Sequence, residues 1–208
     1  MPMDGASVIM TDRVDEFDWS GGHPALDLVN TLDERPFDRP IETLVTYRDL
    51  VMFVELAGLV EPSTAAGLAE LRGRKCSDTL ARTRELREQL HDVLRAIHSR
   101  RPVPTRHLDA ISIAIQSAHA SRKLVAATSQ RLAGHRWSDM VAPEIPLHAC
   151  AIAVEQLLID VDRMKVRKCG ASDCDVYFVD TSKGQHRQWC SMKGCGNREK
   201  QRRRRSPI

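Results

Sequence analysis

Four of the chain's six cysteines fall in two pairs, Cys169/Cys174 and Cys190/Cys195. Each pair has four intervening residues, and fifteen residues separate the pairs. Zinc takes four soft ligands at tetrahedral corners, and two short chelating loops joined by a spacer supply them. Gly170 and Gly194 let the backbone wrap the ion closely. Four thiolates complete the tetrahedron and leave no position for a reactive water, so the site predicts one structural zinc ion and no catalysis. The competing readings are free or redox-active thiols, or His186 in place of one ligand. The paired spacing argues against the first, and the presence of four cysteines argues against the second.

The spacer reads as a β-hairpin. Val176 to Val179 is β-prone, Asp180 to Gly184 is turn-like, and His186 to Trp189 returns to the second cysteine pair. Residues 196–205 contain good helix formers and no proline, so a helix should carry the last ligand in its first turn. Knuckle, hairpin and helix in that order are the layout of a treble-clef finger.

Charge singles out the same end of the chain. The net charge of +3 hides an asymmetry. Residues 163–208 carry 13 Lys/Arg against 4 Asp/Glu, and residues 1–162 carry 18 against 24. A basic end on an acidic body implies a strongly anionic partner at that end. In the terminal helix Arg198, Arg202 and Arg205 share one face with Gln201 beside them, and arginine forks suit phosphates and guanine edges. The candidate nucleic-acid contacts are Arg187, Lys193, Asn197, Arg198, Lys200, Gln201, Arg202, Arg203 and Arg205. A solvated tail that only aids solubility is the plainer alternative. The segment lacks the Leu, Phe or Trp face that a membrane surface would need.

The remaining 162 residues predict a mainly α domain with a few short strands. Hydrophobic residues make up 42% of the chain but aromatics only 4%, which favours helices packed through aliphatic stripes. Val14 to Trp19 alternates like a short strand, and Ser20-Gly21-Gly22-His23-Pro24 must turn before a short helix over residues 25–30. Helices are predicted from Thr46 to Gly58, Ser63 to Gly73, Ser77 to Arg100, Thr105 to Ala120 and Leu147 to Asp162. Residues 123–136 suggest a hairpin. Helical spacing gathers His23, Asp27 and Asn30 on one side, either as a small-ligand pocket or as a turn and cap network satisfying buried backbone groups.

The string Cys195-Gly196-Asn197-Arg198, with Arg167-Lys168-Cys169 and Trp189-Cys190-Ser191-Met192 ahead of it, resembles the CGNR-type zinc finger. Residues 20–32, from Ser20-Gly21-Gly22-His23-Pro24 to Leu32, are similar to the start of the ABATE domain that precedes that finger in bacteria. The family is described as stress-induced transcription regulators. The resemblance implies a DNA-binding finger (residues 163–208) behind a largely helical block (1–162), with DNA preferred over RNA.

No apolar stretch approaches the roughly 20 residues needed to span a bilayer. No N-terminal segment reads as a secretory signal. The expectation is therefore a cytoplasmic, non-enzymatic, DNA-binding transcription regulator whose N-terminal block senses a small-molecule effector or forms a homodimer. Two alternatives stay open. Tyr177, Phe178 and Trp189 could stack on RNA bases, or an enzymatic site could lie near His23 and Asp27.

Overall fold

The computed structural model describes residues 17–33, 35–38, 40–126, 132–162 and 164–205. Seven α-helices and three two-stranded antiparallel sheets occur among them. In chain order these are α1 (Pro24–Asn30), β1 (Leu32–Asp33), β2 (Ile41–Glu42), α2 (Tyr47–Leu56), α3 (Pro62–Ala69) and α4 (Arg74–His98). Then come α5 (Thr105–Ala120), β3 (Arg122–Ala126), β4 (Ala133–Trp137), α6 (Ile145–Asp160), β5 (Val166–Lys168), β6 (Tyr177–Val179) and α7 (Asn197–Arg205). No described helix is long and apolar enough to cross a membrane.

Most helix boundaries follow from local chemistry. Thr46 caps α2 in a reciprocal box: its hydroxyl accepts the Asp49 N–H, and the Asp49 carboxylate accepts the Thr46 N–H. Helix α3 begins one residue before the expected Ser63, with Pro62 in its first turn, and stops at Ala69 rather than Gly73. Helix α4 starts at Arg74, not Ser77, because Gly73 adopts φ +105° and breaks the chain direction there. Of the proposed first strand, residues 14–16 lie outside the described residues. Phe17 and Trp19 form no strand; they pack edge-on and stacked, respectively, against Phe53.

Helices α4, α5 and α6 pack against one another, with α1 and α2 laid across α4 and α6. Leu26, Leu28, Leu50, Phe53, Leu86, Leu90, Leu147 and Val154 sit at the centre of the core, all but excluded from water. Cys76 and Cys150 belong to it too; burial pushes the Cys150 thiol up to about 12, which leaves it inert.

An ion network ties the β1–β2 loop onto α4. Arg87, 3% exposed, makes a bidentate pair with Glu42 at 2.7 Å for each bond and also binds Glu88 and Thr31. Removing one partner of such a pair strands a charge in a dry site. Glu42→Ala is therefore expected to cost about 3–5 kcal/mol in urea denaturation. A loss under about 1 kcal/mol would show that the pair is solvated.

The finger's hairpin differs from the one expected. Strand β6 pairs with β5, which precedes the first cysteine, in the register Val166↔Val179, Arg167↔Phe178 and Lys168↔Tyr177. The Cys169 N–H extends the ladder to the Val176 carbonyl at 2.9 Å, so the first chelating loop is itself the turn of the hairpin. Residues 186–189 form no strand. The buried Asp180 carboxylate explains why, since it accepts from the Ser182 N–H and hydroxyl and from the Arg187 N–H. That curls residues 180–187 into a closed loop in place of a tight hairpin turn.

Candidate metal centre and nucleic-acid interface

The hairpin and the loop after it bring the four sulfurs together. The Sγ atoms of Cys169, Cys174, Cys190 and Cys195 all lie within 4.8 Å of one another. Cys174 and Cys190 are 3.8 Å apart, and Cys190 and Cys195 are 3.5 Å apart. A tetrahedron with Zn–S bonds of about 2.3 Å has edges of roughly 3.8 Å, whereas a disulfide requires about 2.05 Å. The donor set therefore fits a metal and not a cross-link. Gly170 donates its N–H to the Gln188 carbonyl at 2.8 Å, and a Cβ there would crowd that oxygen at 3.1 Å. This contact holds the two chelating loops together. Cys195 lies not in the first turn of α7 but in a π-helical turn just ahead of it, Met192–Gly196, which the Ser191 hydroxyl caps by accepting the Gly194 N–H. Ala171, Val176, Phe178 and Trp189 pack around the cysteines, burying Cys169, Cys190 and Cys195 and part of Cys174.

Helix α7 follows directly and has no buried residue. Its cations divide into paired and unpaired ones. Arg198 and Arg202, though about half exposed, both pair with Asp173 of the first chelating loop, at 3.2 and 3.1 Å. Arg198 also lies 3.2 Å from Cys195 Sγ, and Arg202 pairs with Glu199 and Ser172. Arg205 shares that helical face by spacing. The adjoining stripe is Asn197, Lys200, Gln201 and Arg204 at i, i+3, i+4 and i+7, flanked by Arg203. Asn197 donates its side-chain amide to the Lys193 carbonyl. Lys193, Lys200, Arg203, Arg204 and Arg205 have no hydrogen bond or ion pair among the described residues. Arg204, outside the stripe that the arginine spacing singled out, thus joins the exposed set. The signal that could have found it is Asp173, an acid in the loop that α7 must pack on.

Arg187 is likewise used internally. Its guanidinium lies 4.2 Å over the Phe178 ring and donates to the carbonyls of Ser20, Trp189 and Cys190. Tyr177 and Phe178 are buried, which removes them as platforms for unpaired bases.

Comparison with family models gives two matches. Residues 165–206 match the CGNR zinc finger. Residues 22–160, well over half of the chain, match ABATE, described as a "putative stress-induced transcription regulator". The chain belongs to the ABATE family. No curated protein matches it in a direct comparison. The CGNR finger and its four clustered cysteines hold one structural zinc ion, and the chain is a zinc-finger protein of a transcription-regulator family.

The motif that opens the ABATE domain is built into the seam with the finger. Asn30, buried on α1, brackets Tyr177 on β6: its amide donates to the Tyr177 carbonyl at 3.0 Å and accepts the Tyr177 N–H at 3.1 Å. Val179 donates its N–H to the Gly21 carbonyl at 2.8 Å. Asp27 accepts the Gly21 N–H at 2.9 Å, and a Cβ on Gly21 would sit 2.6 Å from that carboxylate, so only glycine fits. His23 Nδ1 accepts the Ala25 N–H and caps α1, a role that needs the neutral ring; burial lowers its pKa accordingly. These three side chains therefore turn toward backbone groups. Strand alternation completes the seam, with Tyr177 and Val179 entering the main ABATE core and Phe178 entering the finger's own core. His91 of α4 adds an edge-on contact to Tyr177 and lies 3.6 Å from Asp175.

Burial raises the Asp27 carboxyl from 3.8 to about 7, against the pull of the Gly21 N–H and with help from Asp18. A folded-state pKa above the unfolded one means that the folded chain holds the proton more tightly. The associated stability is complete below about pH 4 and is lost as pH rises to about 7. Asp27→Asn, which keeps an acceptor for Gly21, is expected to flatten the fall in urea midpoint between pH 4 and 7. Identical wild-type and variant slopes would contradict a buried, protonated Asp27.

Proposed function

We propose that this ABATE protein is a DNA-binding transcription regulator in which the zinc finger presents the outer face of α7 to the duplex. The observation that carries the reading is the free cationic stripe: Lys200 and Arg204, with Lys193, Arg203 and Arg205 around them, extend from a helix whose other face is neutralised by Asp173 and Glu199. Unpaired Lys and Arg on a helix braced at its base suit phosphate contact, with Asn197 and Gln201 placed to reach base edges. Arg198 and Arg202 brace the helix on Asp173, and Arg198 also supports the Cys195 thiolate. In this reading the ABATE domain holds the finger, and His23, Asp27 and Asn30 serve the seam in place of an effector pocket. One finger reads few base pairs, so specific binding calls for two copies on one site. The role is one of binding, with no reaction assigned.

A mobility-shift titration across genomic fragments tests this. Lys200→Ala and Arg204→Ala should each lower the salt slope by about 0.9 with zinc content unchanged. Arg198→Ala should instead weaken zinc retention by about 10- to 100-fold, as loss of a group supporting a ligand does. Absence of salt-sensitive retention of duplex DNA by the wild type would refute the reading. Preferential retention of RNA in direct competition would transfer it to RNA, with α7 and not the buried aromatics as the contact.

A further inference from the structure

The ABATE domain carries a second cationic feature beside the finger. The last turn of α4 (Leu94, Ile97, His98) and the end of α6 wall an apolar cavity of about 60 Å³ that Val166 and Tyr177 of the finger close from the other side. The turn leaving α4 therefore emerges at the finger's edge. Residues 95–107 of this otherwise acidic domain contain four arginines and two histidines and no acid. Arg95 is paired with Asp92, whereas the side chains of Arg100 and Arg101 are exposed and without a partner among the described residues. Arg106, exposed in a cleft of about 360 Å³, has the His107 ring as its one hydrogen-bond partner among the described residues.

The backbone holds these residues in a fixed turn. The Arg101 N–H returns to the Ala96 carbonyl and the Arg100 N–H to the Ile97 carbonyl, the two bonds of a Schellman closure. Its left-handed position, where glycine costs least, is occupied by Arg100 at φ +53°. Cations near a helix C-terminus are favoured by its dipole, but that does not account for an arginine at the strained position or for Arg106 on the next helix.

We infer that the α4–α5 turn is a second DNA-backbone contact, in which Arg100, Arg101 and Arg106 engage phosphates flanking those met by α7. The inference rests on the DNA reading above. It makes the ABATE domain part of the binding surface and lengthens the footprint beyond what one short helix covers.

The test uses the full-length, zinc-loaded chain with Arg100→Gly, Arg101→Gln and Arg106→Gln combined. Affinity for a 25-base-pair duplex is followed over a fourfold rise in salt. Three lost phosphate contacts lower the slope by about 2.7, so the wild type should lose roughly 40-fold more affinity than the variant over that range. Zinc content should be unchanged. Arg100→Gly alone should leave the melting temperature equal or higher, because glycine suits that backbone. Equal slopes for variant and wild type, with Lys200→Ala still reducing the slope, would overturn this inference and leave the finger reading standing. No salt-sensitive binding by the wild type would overturn both.

Discussion

Removing zinc is expected to unfold the whole chain, not the finger alone. Tyr177 and Val179 lie in the same apolar cluster as Leu26, Leu90 and Leu157, so the finger's β6 forms part of the wall of the ABATE core. The hairpin that presents them closes around the first chelating loop, and its own interior is little more than the sulfurs, Ala171, Val176 and Phe178. A core that small cannot stand without its ion. Structural zinc contributes about 10–16 kcal/mol of apparent binding free energy, against a total stability of about 5–15 kcal/mol for a typical domain. Chelation, or Cys190→Ser, should therefore abolish the single melting transition of the holoprotein and strip protection from amides of α1 and α4 along with those of the finger. Hydrogen exchange with and without chelator checks this. If α1 and α4 amides keep their protection while finger amides lose it, the seam is an incidental contact.

Asn30→Ala is the second large effect. Both bonds of the Asn30 amide go to the backbone of Tyr177, which is itself buried on β6. Alanine leaves an N–H and a carbonyl without partners and out of reach of water, at about 1–3 kcal/mol each. The expected loss is about 2–5 kcal/mol, measured by urea denaturation of the zinc-loaded chain. Asn30→Asp separates the two bonds: it keeps the acceptor for the Tyr177 N–H but sets a carboxylate against the Tyr177 carbonyl, so it should cost at least as much. A loss below about 0.5 kcal/mol for the alanine variant would mean that water or another group replaces the clamp. His23→Ala should cost less, near 1 kcal/mol, since it removes one cap bond at a part-buried helix start.

The same pair shows where reading the sequence stops. Asn30 was legible as a polar residue on an apolar helix, and the choice between a ligand pocket and a backbone-satisfying network stayed open. Its partner lies 147 positions away, and no local pattern carries that distance. Helix α7 gives the second example. Its periodicity sorts the arginines into faces correctly, yet periodicity is silent on which face a neighbour takes. Asp173 pairs with Arg198 and Arg202 and leaves Lys200 and Arg204 unpaired among the described residues. In the finger, β-propensity located β6 but not its mate, because three-residue strands such as Val166–Lys168 carry too little signal against the carboxylate-centred loop at Asp180.

The cysteine spacing separates the two kinds of information. The spacing of Cys169, Cys174, Cys190 and Cys195 alone determined the ligands, the metal and its structural role, because chelation is local chemistry: two short loops and four thiolates leave one geometry. The main helices were determined the same way, through caps and aliphatic stripes within a few turns of chain. Only the tertiary structure decided that the finger and the ABATE domain share a core, that the Gly21–Asn30 motif clamps them together, and which cations of α7 remain free. Those outcomes depend on burial and on pairing between groups far apart in the chain, and both come into being only when the elements pack.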